Sequence, residues 1–405
     1  MSATGVLRVS QPTATNVTGN LTALIFPAPT GVGITPTTPV TTLTASRLDI
    51  GVNAGKNDGA NQVNTVLLGT GLTTLNIDTL NIGTGGRDTG SLSFATGNGT
   101  LKLRAANGTG RVAINVGTGT ANTGVTSPAV NTLDFSGHSS DLLISTLTIG
   151  GQNRNVGRTD NVSFDQGTLD VTGVVVATIN GAAGGAANST WTSNLLIGGG
   201  STTIGTGGLD VSNAAVTVTG TDVLAGNVTV SGGTVSIANS STLGAAVRLS
   251  TGSQTGLTAN RTLNLTGGVT TLGGNVIRGG GTSTSATSAT VNLNGGTLAM
   301  GGNSIGTSAT TVNFVVASGT LGGLSEYNGG AGYQQDHNRC RHVPCQYIYR
   351  SDERKCRYVV GEQLQPSDDD RHGYGISDGE HDRQTRRIGL GRSAVVVRRH
   401  GLSGQ

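Results

Sequence analysis

The feature that most restricts this chain is a triplet, apolar–polar–apolar, that recurs from residue 48 to residue 314. It reads Leu-Asp-Ile at 48–50, Leu-Asn-Ile at 80–82, Leu-Asp-Phe at 133–135 and Leu-Thr-Ile at 147–149. Leu-Asp-Val follows at 169–171 and 209–211, and variants built on Val continue at 216, 228, 235, 291 and 312. Alternation with period two is the pattern of a strand with one buried face. Between the triplets lie clusters of Gly, Asn, Ser and Thr, which supply turns and positive φ. No window sustains the 3.6-residue apolar spacing of a helix. Whatever the chain builds, it builds from many short strands.

A longer repeat sits above the triplets. VNTVLLGTGLTTLNIDTLNIG (63–83) aligns without gaps to VNTLDFSGHSSDLLISTLTIG (130–150), an offset of 67 residues. Both copies continue through RDTG or RNVG into SLSFATGNGTLKL or NVSFDQGTLDV, and a weaker third copy begins at NLLIGGG (194–200). The offset suits three solenoid coils of about 22 residues each. One such coil buries too few aliphatic side chains to offset the entropy of ordering its backbone, so coils must stack to be stable. The expected architecture is all-β: a right-handed parallel β-helix with Val, Leu and Ile inside and Thr, Ser and Asn outside. An antiparallel β-sandwich is the rival. Sandwiches of that kind anchor their cores on aromatics, and 405 residues holding one Trp (Trp191) and 3% aromatics supply few.

At SGGTVSI (231–237), NGGTLAM (294–300) and GTLDV (167–171) the chain resembles the autotransporter-associated β-strand repeat proteins, whose units centre on a G-G-T-L-x-[VL] strand. The likeness covers most of 40 to 330 and gains its specificity from repetition. It implies a secreted or surface-displayed bacterial passenger folded as a β-helical stalk. Such proteins often end in a membrane β-barrel, but no series of ten-residue alternating strands with aromatic girdles is visible here. MSATGVLRVSQPTATNVTG lacks the basic and apolar regions of a signal peptide. Together these lead to the expectation of a fragment whose translocator barrel lies outside this chain.

Net charge is +3, too small to point to nucleic acid or a membrane surface. Polysaccharide-cleaving β-helices, which resemble pectin lyases, need clustered carboxylates with Lys or Arg on one outer face. Asp49, Asp134, Asp170 and Asp210 each hold the middle of a triplet and are expected to point to solvent. Asp160 and Asp165, with Arg158 beside them, form the one local cluster. His138 has no nearby Cys or Asp pair and is expected in an exposed turn. Glycine strings at 83–90 and 117–124 imitate phosphate loops, but neither is followed by the helix that phosphate binding requires. No Asp follows a G-G-x-G unit, so a calcium roll is not expected.

Composition changes near residue 325. Up to residue 324 the chain holds 12 Lys and Arg and 11 Asp and Glu; the last 81 residues hold 13 and 11, five of six His and all three Cys. Cys340, His342, Cys345 and Cys356 have poor spacing for zinc, and three cysteines leave one over from disulfide pairing. A slipped reading frame explains more. Suitable synonymous codons for residues 333–360, read one nucleotide later, can spell INKTTTGVVTFLVNTYTGATNVNAGTLL, which looks like the same repeat family as the body. A frameshift near Gly330 to Tyr333 is therefore expected, with no metal site.

Three segments result: 1–40 irregular or capping, 41–325 the β-helix repeat domain, and 326–405 a frame-shifted, non-native or disordered tail. The expected function is a structural or adhesive stalk at the bacterial surface or outside the cell. No catalytic residue, cofactor or metal is expected. Expected partners are glycans, extracellular matrix or neighbouring cells, not nucleic acid, and the chain is expected to be a monomer. A pectin-lyase-like enzyme and a passive spacer remain the alternatives.

Overall fold

The computed structural model describes residues 6–9, 21–25, 42–52, 63–84, 89–95, 97–118, 128–151, 157–178, 189–211, 216–250, 254–279 and 287–330. Among them there is no helix, and every strand pairing is parallel. The strands begin with β1 (Val6–Val9), β2 (Leu21–Ile25), β3 (Thr42–Ile50), β4 (Val63–Leu68), β5 (Gly71–Ile82), β6 (Thr89–Phe94), β7 (Gly99–Arg104) and β8 (Val112–Val116). They continue with β9 (Ala129–Asp134), β10 (Ser139–Ile149), β11 (Arg158–Phe164), β12 (Gly167–Val176), β13 (Thr190–Ile197), β14 (Ser201–Val211) and β15 (Val216–Val230). The last are β16 (Thr234–Ile237), β17 (Val247–Leu249), β18 (Gln254–Leu265), β19 (Val269–Leu272), β20 (Val276–Arg278), β21 (Thr287–Ala299) and β22 (Asn313–Gly322).

These strands stack into a parallel β-solenoid with three faces. The first face is the ladder β2, β4, β6, β9, β11, β13, β15, β18, β21, β22. The second contains β7, β16, β19 and the leading halves of β3, β5, β10, β12 and β14. The third contains β8, β17, β20 and the trailing halves of the same long strands. Register shifts between Ile144 and Thr146, and between Val171 and Gly173, mark the corner where a long strand turns from the second face to the third.

Because the pairing is parallel and in register, like side chains stack on like. On the third face Leu48, Leu80, Ile114, Leu147, Val174, Leu209, Val247 and Val276 form one inner column, every member at most 1% exposed. On the first face the outer column Asn161, Asn194, Asn227 is tied by side-chain amide bonds of 2.9 Å at a spacing of 33 residues. Backbone ladders and amide ladders both run along the solenoid axis, so each coil depends on its neighbours.

The 67-residue offset is real but spans two coils, not three. Val66 pairs with Leu92 and Leu92 with Leu133; likewise Leu80 pairs with Ile114 and Ile114 with Leu147. The coils are longer than about 22 residues because each carries three strands, three corners and loops of differing length.

One corner shows why glycine is so common. Gly51, Gly83, Gly117 and Gly150 end the third face in successive coils with φ between 59° and 83°. The amides of Gly83, Gly117 and Gly150 each donate to the carbonyl one coil back, at 2.8 Å. A Cβ on Gly83 would meet Asn131 Oδ1 at 1.8 Å, and one on Gly117 would meet Asp160 Oδ1 at 2.0 Å. The left-handed backbone and the polar side chain pressed against it both require glycine. In the next coil Ala177 takes the corner with φ 59°, and the facing position is Gly226, whose added Cβ would lie 2.8 Å from that of Ala177. The Cβ has moved from one wall to the other.

Candidate functional site

The sequence cluster Arg158, Asp160 and Asp165 does not form a surface site. Along β11 the buried positions are Arg158, Asp160, Val162 and Phe164, so both charged side chains point into the solenoid. Arg158 Nε donates to Asp160 Oδ2 at 2.8 Å, with both side chains only 2% exposed. Asn131 Nδ2 donates to Asp160 Oδ1 at 2.8 Å, and the Gly90 amide donates to Asn131 Oδ1 at 3.0 Å. Gly90, Asn131, Asp160, Ser193, Gly226 and Arg261 occupy one inner column of the first face, a polar thread running beside the glycine corner. Burial lowers the pKa of Arg158, and Asp160 opposes that shift. A substrate has no route to either group, so their role is internal cohesion.

Asp165 sits at the opposite corner, where its carboxylate accepts the Gly137 amide at 2.8 and 2.9 Å and fastens two adjacent turns. Asp134 accepts from the amide and hydroxyl of Ser136 in the same kind of turn. Asp170 and Asp210 do face outward, paired with Arg111 and Arg248. Asp49 departs from expectation: it is 0% exposed, held by Arg47 and by Asn81 Nδ2 at 2.8 Å. His138 is half-buried and stacks on Phe94, ring centroids 4.1 Å apart, rather than standing free in its turn.

The second face carries the outward chemistry, in two bands. In the first, Arg104 Nη2 donates to Asp141 Oδ2 at 2.5 Å, and Thr168 Oγ1 donates to Asp141 Oδ1 at 3.2 Å. Lys102 lies in register beside Asp141. Arg111 reaches across two further coils, donating to the Ile144 carbonyl at 3.0 Å and to both carboxylate oxygens of Asp170 at 2.9 and 3.0 Å. Lys102, Arg104, Arg111, Asp141 and Asp170 thus form a charged band over three coils. In the second band the charges stop. The outer columns become Ser201, Thr234, Val269, Thr297, Thr320 and, beside them, Thr203, Ser236, Thr271. Strand spacing fixes this hydroxyl grid at about 4.8 Å across strands and about 6.7 Å along them.

Neither band is marked in the sequence by proximity. Arg104 and Asp141 are 37 residues apart, and Arg111 and Asp170 are 59 apart. Only the coil lengths, which vary, bring them together.

Arg261 is the largest fully buried side chain among the described residues. Its Nη1 donates to the Leu224 carbonyl at 2.6 Å and its Nη2 to the Ala177 carbonyl at 3.3 Å. Burial pulls its guanidinium down to about 9, against a weaker upward pull from Asp210. None of the ion pairs among the described residues includes it.

No group of three or more His, Cys, Asp or Glu side chains able to hold a metal occurs among the described residues. Cys340, His342, Cys345 and Cys356 lie outside the described residues. Comparison with protein-family models, with characterised proteins and with solved structures returns no match.

Proposed function

We propose that the protein is an extracellular or cell-surface stalk of the autotransporter-passenger type, structural or adhesive, and without catalytic activity. The observation that carries this reading is the second face. It presents an outer surface of registered, mostly polar side chains, charged in one stretch and largely hydroxyl-bearing in the next, with Val269 interposed. Such a surface suits repeated hydrogen bonding to glycans or matrix, and the stacked core beneath gives length and stiffness. The recurrent Gly-Thr-Leu strands supply the likeness to β-strand repeat passengers. No residue is assigned to a cofactor or metal.

The test is binding of the full chain to glycan arrays, matrix proteins and cultured cells. Retention that is lost when Lys102, Arg104 and Arg111 are replaced by Ala supports an adhesin. Absence of binding to every surface leaves a passive spacer. The polysaccharide-enzyme reading has one observation in its favour, Asp141 and Asp170 in adjacent coils of one outer face. Both carboxylates, however, already accept arginine N–H bonds. Release of reducing ends from pectin-like polymers, abolished in the Asp141→Asn, Asp170→Asn double variant, would establish that reading instead.

A further inference from the structure

We propose that the edge of β22 is completed by one more coil, encoded in the same gene but in the reading frame one nucleotide beyond the one that gives residues 333–360. Among the described residues β22 pairs with β21 alone, leaving its other edge open. Among the described residues the core thins there. In the column that runs through Leu265 and Leu293, both 1% exposed or less, the last member Val316 is only half-buried. Leu298 is 0% exposed, while its partner Leu321 is half-buried, and Leu324 and Tyr327 share that state. Among the described residues this edge presents backbone donors, acceptors and aliphatic side chains that another parallel strand of the same register would satisfy.

The occupant is specified by register. β21 carries Leu-Asn-Gly-Gly-Thr-Leu at 293–298, and β22 carries Val-Ala-Ser-Gly-Thr-Leu at 316–321. Leu293 pairs with Val316, Thr297 with Thr320 and Leu298 with Leu321. With suitable synonymous codons the shifted frame can spell V-N-A-G-T-L across the codons of Arg354 to Val359, which would be a third copy with no gap. It places Gly-Thr-Leu 38 residues after Gly319–Leu321, inside the range of coil spacings seen here, such as 41 from Gly90 to Asn131.

The composition of 333–360 follows from the same slip. A Tyr, Asp, His or Asn codon, read from its second base, begins A-pyrimidine and gives Thr or Ile, or Thr or Met before a codon that starts with G. Arg codons of the CGN type give Val, Ala, Gly or an acid; Cys codons give Val or Ala; Gln, Glu and Lys codons give Asn, Ser or a base. A Thr-, Asn-, Gly- and Val-rich coil entered out of frame therefore appears as Arg, Asp, His, Cys and Gln. On this assignment Cys340, His342, Cys345 and Cys356 are products of the frame, not a selected ligand set.

The coding DNA gives the first test. The bases from Tyr333 to Val360, read one nucleotide later, are expected to yield a Thr-, Asn- and Val-rich run ending in Gly-Thr-Leu. A stop codon in that stretch, or any other tripeptide at Arg357–Val359, overturns the proposal. The second test uses protein. Deleting the first base of the Tyr333 codon restores the shifted frame in the otherwise unchanged chain. Hydrogen exchange at the β22 amides is expected to slow about tenfold or more, because they gain a second parallel neighbour. Equal exchange in the two chains overturns the proposal even if the DNA agrees.

Discussion

Asp160 concentrates the residue-scale physics of this molecule. A carboxylate and a guanidinium have been taken out of water, and Asn131 donates to the carboxylate oxygen that Arg158 leaves over. Removing one partner strands the other charge in the core, which costs roughly 3–5 kcal/mol. Asp160→Ala is expected to lose about that much in chemical denaturation. The Arg158→Met, Asp160→Leu double variant is expected to lose less, since neither charge remains. Gly117→Ala should be far more damaging than Gly108→Ala. Both have φ near 65–80°, but the first drives a methyl into Asp160 and the second meets open space. The open site should cost about 1 kcal/mol of backbone strain, the other several times that. Melting of the two variants side by side separates strain from collision.

Arg261 gives a pH dependence whose sign can be worked out. Its folded pKa, about 9, lies well below the ordinary guanidinium value. Between those values the unfolded chain binds the proton and the fold does not, so stability rises with pH by about 1.4 kcal/mol per unit. Below about 9 both states are charged and the slope vanishes. Unfolding measured against the Arg261→Met variant should therefore show the parent gaining only above that pH. A constant difference across the range would mean that the buried guanidinium stays protonated.

At the scale of the strand, the inner columns are not uniformly apolar. On the second face Leu169, Thr202, Val235, Thr270 and Leu298 stack in one line. The hydroxyls of Thr202 and Thr270 are buried and make no hydrogen bond. Thr202→Val and Thr270→Val keep the shape and remove an unsatisfied group, so each is expected to stabilise by about 1 kcal/mol. The outer amide ladder behaves oppositely. Asn194→Ala breaks bonds to both Asn161 and Asn227 and should cost about 1–2 kcal/mol in the same assay. Alternation made each strand's two faces readable from sequence. In Arg-Thr-Asp-Asn-Val-Ser-Phe it even carried the correct answer for the charged pair, since Arg158 and Asp160 share the parity of Val162 and Phe164. Charge argued for solvent and parity for the core; parity prevailed because Arg158 and Asn131 supply partners to Asp160 and the corner glycine leaves room for its carboxylate. Asp49 shows the limit of parity alone: it has the outward phase of its triplet yet is fully covered by its neighbours.

Taken as a whole, the solenoid is a stack whose unit is the coil. Deleting residues 194–226 joins Ser193 to Asn227, the residue that occupies the position of Asn194 one coil later. The remaining columns keep their register, so this variant is expected to retain cooperative unfolding and a β-type circular dichroism spectrum. Removing about half that stretch shifts every following column and should abolish both.

Element type, strand phase and repetitive stacking are legible in the chain alone, because a two-residue period and a gapless repeat are local properties. The tertiary structure decided how many residues close a coil and which distant charges meet. Those depend on three corners and on loops of unequal length, and no local period encodes them. So Arg104 found Asp141, and Arg111 found Asp170, across intervals the sequence does not repeat.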